Sequence, residues 1–188
     1  MRILIAGIVG GLIIFICGAI AHEATGLGTA GLAVMAPERE AAVVDAMKAA
    51  MGERKIYFFP GVDLEDPQAR KSDAFKAKVA QGPTGIVAYN PGAGCVIGPK
   101  MLGTEFAFNV LEGLIAAFIV AHLAANVGYG KRVAIVALIG LAESVSIDGS
   151  YWNWYQFPDA YFAAQLAMSV FGSLMAGLAI AKLVRSPS

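Results

Sequence analysis

Charge is scarce in this chain, and neither sign prevails. Of the 188 residues 15% are charged, and 14 basic side chains are balanced by 14 acidic ones, whereas an ordinary soluble domain carries roughly 25%. A typical soluble enzyme is thereby excluded. The missing basic surplus argues against a nucleic-acid partner, which is held by releasing counterions from phosphate. Blocks of like charge are absent as well, and with 57% hydrophobic residues the chain is not a disordered one. Cysteine is nearly missing. Cys17 and Cys95 are too few for a disulfide framework, and no CxxC or CxxCH pair offers redox, zinc or c-type haem chemistry. Cys17, inside an apolar run, reads as a small buried hydrophobe. There is no Walker loop, dinucleotide fingerprint or nucleophile elbow. Pro91-Gly92-Ala93-Gly94 lacks the Lys-Ser/Thr of a phosphate loop and reads as a turn.

What the chain does have is apolar length. Its mean hydropathy is +0.65, and Ile3 to Ala21 is an unbroken apolar and small-residue run. About 20 residues rising 1.5 Å each cross a hydrocarbon core of roughly 30 Å, so this is a first membrane span. Further runs cover Phe106 to Val127, Val133 to Ser150 and Ala160 to Val184. The expected fold is an all-α membrane bundle of four transmembrane helices with a small α/β extracytoplasmic insertion between helices 1 and 2. Residues 1–21 form the first span, 22–104 the extracytoplasmic cap and 105–188 the remaining three spans. Arg2 ahead of the first run and Ala19-Ile20-Ala21 before His22 also fit a signal peptide, although an uncleaved helix is the preferred expectation.

Basic residues suggest the orientation, because short loops rich in Lys and Arg stay on the cytoplasmic side. With the N-terminus inside, Arg2, Lys131, Arg132, Lys182 and Arg185 gather at the cytoplasmic ends without an acid among them. Both termini are therefore expected in the cytoplasm. Within the cap, Pro37 with Glu38 and Glu40 opens a helix that Gly52 stops, and Asp66-Pro67 opens a second that ends before Gly82-Pro83. Lys55 to Phe59 and Gly85 to Tyr89 read as strands. An α-β-α-β unit of roughly 80 residues is small for independent stability.

Chemistry would concentrate in the later spans. Glu105, Asn109, Glu112, Ala116, Ile119, His122 and Asn126 follow one another at steps of three and four, which put them on one face of a second-span helix. Span three holds Glu143 near its middle, with Ser144, Ser146 and Asp148 beyond, and span four holds Gln165, Ser169 and Ser173. Counted from the outer boundary, Glu112, Glu143 and Gln165 each fall roughly 10 Å deep. Asn109, Glu112, Glu143 and Gln165 are thus expected to form an intramembrane polar cluster, its two carboxyl groups sharing a proton at neutral pH and Glu143 hydrogen-bonded to one of the other three. His22 and His122 invite a metal reading, yet they stand roughly 25 Å apart on this layout and cannot share one site.

Tyr151, Trp152, Trp154, Tyr155 and Phe157 crowd the outer turn between spans three and four. Such rings favour the headgroup layer, and the same face could dock a quinone, a pigment or a neighbouring subunit. Gly7 and Gly11 in span one, and Ser169, Ser173, Gly177 and Ala181 in span four, form small-residue stripes that let helix backbones approach closely.

The apolar first span ending in Ala21-His22, then Tyr57-Phe58-Phe59-Pro60-Gly61, Gly82-Pro83-Thr84-Gly85 and Ser150-Tyr151-Trp152-Asn153-Trp154-Tyr155 with Phe157-Pro158, resembles a group of bacterial inner-membrane proteins without an assigned activity. The resemblance implies four spans in the bacterial inner membrane and nothing mechanistic. Missing catalytic motifs together with helix-packing stripes point to a non-catalytic membrane subunit or scaffold of a larger complex or homo-oligomer. The intramembrane carboxylates point to the alternative, a proton- or cation-coupled small transporter. An enzymatic use of His22, Glu23 or Cys95 lacks a nucleophile and base at a recognisable spacing. His22-Glu23 could still contribute to a partner's metal, and the residues leave the identity of any cofactor open. The expected partners are membrane lipid and other membrane subunits or copies of the chain itself.

Overall fold

Long apolar runs close their backbone hydrogen bonds within the segment, so they become helices largely irrespective of their neighbours. A computed structural model describes residues 1–92, 94, 97–123 and 126–184. Cys95, Arg185 and the Ala93 of the glycine turn lie outside the described residues. Among the described residues six α-helices and two strands follow in the order α1 (Arg2–Ala24), α2 (Pro37–Ala50), β1 (Ile56–Phe59), α3 (Asp73–Gln81), β2 (Gly85–Ala88), α4 (Pro99–Ala121), α5 (Tyr129–Tyr155) and α6 (Asp159–Leu183). Among the described residues α1, α4, α5 and α6 are long and apolar enough to cross a membrane.

The chain divides into two units, one made of Met1–Ala33 with Ile97–Ser188 and the other of Val34–Val96. In the first, α1 packs against α4 and α6, and α6 against α1 and α5; α4 touches α5 and α6 only lightly. Glycine sets the α1–α4 contact. A Cβ on Gly7 would meet Leu114 Cα at 2.7 Å, one on Gly11 would strike the Val110 backbone, and one on Gly113 would strike the Gly7 carbonyl. Phe15 meets Phe106 edge-on at 5.6 Å, which continues the same antiparallel register. On the other side of the bundle a Cβ on Gly140 would lie 2.6 Å from the Ser169 carbonyl, and one on Gly177 3.1 Å from the Val133 carbonyl. The buried core is correspondingly small-featured: Ala6, Ala116, Ala117, Val120, Val136, Ala176, Ile180 and Val184.

Two of the long helices differ in their bounds from what the sequence suggests. α4 starts at Pro99 and stops at Ala121, because Pro99 is preorganised for a first helical position and His122 caps the end, its Nδ1 2.8 Å from the Phe118 carbonyl. Asn126 therefore lies beyond the helix and off its polar face. α5 runs on to Tyr155, so Tyr151, Trp152, Trp154 and Tyr155 are helical, and the turn itself is short. Gln156 takes the left-handed conformation at φ 57° and ends the helix.

In the unit Val34–Val96, Pro37 begins α2 with Glu38 and Glu40 in its first turn. α3 begins at Asp73 and not at Asp66. Asp66 spends its side chain on the Gln68 N–H at 2.8 Å, a local turn that competes with helix, while Ser72 caps α3 by accepting from the Phe75 N–H at 3.2 Å. β1 and β2 pair antiparallel with Ile56 opposite Ala88 and Phe59 opposite Gly85. The bare Gly85 makes room for the Phe59 ring, whose Cζ would lie 2.8 Å from any Cβ there.

Candidate functional site

Polar groups buried among apolar helices must find partners within the protein. Ser173 on α6 is buried, and its hydroxyl donates to Glu112 Oε1 on α4 at 3.1 Å. One turn earlier the Ser169 hydroxyl donates to the Gly140 carbonyl of α5 at 2.9 Å. Ser144, also buried, donates to Asp148 Oδ2 at 2.7 Å within α5. Asn109 donates to Glu105 Oε1 at 3.2 Å along α4. The hydroxyls of Ser144, Ser169 and Ser173 thus reach across or along their helices to an oxygen acceptor.

Glu112 is half-buried and Glu143 exposed. The charge of Glu143 is felt at Glu112, and those of Asp148 and Glu105 at Glu143. The four carboxylates are thus within electrostatic range of one another on α4 and α5, two helices that barely touch. Among the described residues none of them is ion-paired; the three ion pairs, Lys48–Asp45, Lys55–Glu53 and Lys76–Asp73, all lie in Val34–Val96. No group of three or more His, Cys, Asp or Glu among the described residues converges as metal ligands would.

The expected four-residue cluster is only partly assembled. Glu112 finds Ser173, and Glu143 makes no hydrogen bond to Glu112, Asn109 or Gln165. Gln165 is missed because α4 starts early, and Glu143 because its face of α5 is turned outward and exposed. Glu112 stands thirteen residues after Pro99, roughly 20 Å along the helix rather than 10 Å, and so meets α6 at Ser173. Gln165 is eight residues, about 12 Å, further along α6. Ser173 was legible as a small residue for packing; its role as a donor was not, because a hydroxyl's partner depends on how two helices are rotated against each other. The Ser144–Asp148 and Glu105–Asn109 pairs do carry a sequence signal, the step of four that brings side chains together on one helix face.

Among the described residues the aromatic side chains around the α5–α6 turn make two contacting groups. Tyr151 lies 5.7 Å from Tyr155 and 5.5 Å from Phe157, and Phe157 lies 5.3 Å from Tyr161. Trp152 stacks on Phe162 at 5.9 Å, and its indole N–H donates to Asp159 Oδ1 at 2.7 Å. Trp154 faces outward with 76% of its surface exposed. His22 is in the last turn of α1 and His122 at the end of α4; the antiparallel α1–α4 register puts them at opposite ends of the pair. His22 and Glu23 are exposed, and Cys17 is half-buried near Gly172.

This arrangement defines the protein as a bundle of four membrane-length helices, closed by small residues, with an acidic open side and a small α/β insertion. No family model, curated protein or solved structure matches the chain.

Proposed function

We propose that the chain is a non-catalytic integral membrane subunit or scaffold, which offers the side between α4 and α5 to a larger membrane complex or to further copies of itself. One observation carries the reading. Glu105, Glu112, Glu143 and Asp148 stand near one another on membrane-length helices without a cationic partner among the described residues. Carboxylates in such helices are costly unless a partner, water or a basic group satisfies them. Gly7, Gly11, Ser169, Ser173 and Gly177 already make contacts inside the bundle, whereas the polar side keeps groups that a partner would satisfy.

The proposed location is the bacterial inner membrane, with both termini cytoplasmic and the insertion outside. It rests on the resemblance of the sequence and on the basic residues Arg2, Lys131, Arg132 and Lys182 at one set of helix ends. A cysteine introduced at Gly130 is then shielded from an impermeant thiol reagent in intact cells, and one at Ser72 is labelled; the reverse pattern inverts the proposal. Extraction in mild detergent followed by native mass determination tests the assembly. A complex or oligomer is expected, and a lone monomer at every concentration sinks the reading. Glu143→Leu sharpens it: with no hydrogen bond at Glu143 to lose, the monomer should fold normally while the assembly weakens.

A second reading is favoured by the Ser173–Glu112 hydrogen bond with Glu143 in electrostatic range. Carboxylates placed so could relay a proton or hold a cation, as in a small coupled transporter. Proton flux in proteoliposomes that is unchanged in Glu112→Gln and Glu143→Gln removes that reading.

A further inference from the structure

One end of the bundle carries a cleft of different chemistry. Where the start of α1 meets the end of α6, an open cavity of about 430 Å³ is lined by Arg2, Ile5, Lys182 and Leu183. Its size falls within the roughly 300–1,000 Å³ of small-molecule sites. Two of its walls are cationic and two are apolar. Neither Arg2 nor Lys182 has an acidic partner among the described residues, where every ion pair lies in Val34–Val96. A cation pair without an anion beside an aliphatic wall is matched by one kind of molecule, an anion that carries a hydrocarbon tail.

Backbone chemistry agrees. The first helical bond of α1 runs from the Ile5 N–H to the Met1 carbonyl at 3.1 Å, and no side chain caps that end. The N–H groups ahead of Ile5 therefore point toward an acceptor that the helix does not supply. At the end of α6 the competing negative pole is partly covered, because the Arg132 guanidinium donates to the Val184 carbonyl. Basic pockets between membrane helices hold phosphate headgroups by this combination. We propose that the cleft between the start of α1 and the end of α6 binds an anionic phospholipid, its phosphate between Arg2 and Lys182 and the upper part of an acyl chain along Ile5 and Leu183.

The test uses the full chain, stripped of lipid in detergent and titrated separately with dioleoylphosphatidylglycerol, dioleoylphosphatidylcholine and inorganic phosphate, with bound lipid read by native mass spectrometry. The anionic lipid should bind at least about tenfold more tightly than the zwitterionic one. Arg2→Gln and Lys182→Gln should each weaken the anionic lipid about fivefold and leave the zwitterionic one unchanged. Arg2→Lys and Lys182→Arg, which keep the charge, should retain binding even where a neutral variant folds poorly. Lys131→Gln, a cation that does not line the cleft, should change nothing. Equal affinity for the two lipids overturns the proposal, as does a loss at Lys131→Gln as large as at Arg2→Gln. Inorganic phosphate that binds with the same dependence on Arg2 and Lys182 overturns the lipid as occupant and leaves a free phosphate in its place.

Discussion

In the bundle, Ala6, Ala117, Ala176 and Ile180 are wholly removed from solvent, whereas no described residue of Val34–Val96 is buried. The two regions are held by different physics. Bundle helices approach until backbone touches backbone, at Gly113 against Gly7 and Gly11 and at Gly140 against Ser169 and Ser173, and dispersion at close range stabilises the contact. The insertion has local devices instead: Pro37 at the head of α2, the Ser72 cap, and a ladder of four residue pairs between β1 and β2. Ile56, Leu64 and Val34 remain exposed there. A two-stranded sheet without a dry core is marginal alone.

The close contact of α1 and α4 is most vulnerable at Gly113. Gly113→Leu drives a side chain into the α1 backbone and should cost about 3 kcal/mol or more, since overpacking against backbone cannot relax by rotamer change; thermal unfolding in detergent measures it. A variant as stable as the wild type would mean that α1 and α4 are not in close contact. Hydrogen exchange probes both regions at once. Central amides of α1, α4 and α6 should exchange at least about 100-fold more slowly than those of β1 and β2, because opening the insertion exposes little that is buried. Equal protection would erase the distinction drawn between the regions.

Smaller effects sharpen it. Ser173→Ala removes the donor to Glu112 and should cost about 0.6 kcal/mol, up to ~1.7, the range found for hydrogen bonds between membrane helices; unfolding of the two proteins side by side checks the value. The smallest effect is at Glu53, where the Lys55 ammonium, hydrogen-bonded at 2.6 Å, holds the carboxyl below its ordinary value. A lowered carboxylate contributes its stability above the unfolded value and loses it as pH falls through the folded one. Lys55→Ala should return Glu53 to the ordinary carboxylate range in an NMR titration, with little change in overall stability because both side chains are exposed.

Run length and composition were sufficient for four long helices, since a helix satisfies its own backbone and needs only enough apolar residues in a row. Strand positions in the insertion were legible for the related reason that Gly, Pro and Asn-Pro punctuate them. Local signals failed where two of them competed. Asp66-Pro67 looks like a helix start, yet its carboxylate closes a turn and Ser72 takes the cap; the aromatic run looks like a loop, yet α5 continues through it until Gln156 turns left-handed.

Which faces of the helices meet was decided only when the chain folded. Spans that are apolar nearly all round carry little information about their own rotation, and a shift of one residue turns a side chain by about 100° around the axis. Glu112 consequently meets Ser173 and not Glu143, and Gly113, which no stripe in the sequence singled out, sits at the closest approach of α1 and α4. The acids themselves are written in the sequence. Their gathering on the side where α4 and α5 hardly touch follows from α1 and α6 occupying the centre of the bundle, an outcome of close packing between distant segments.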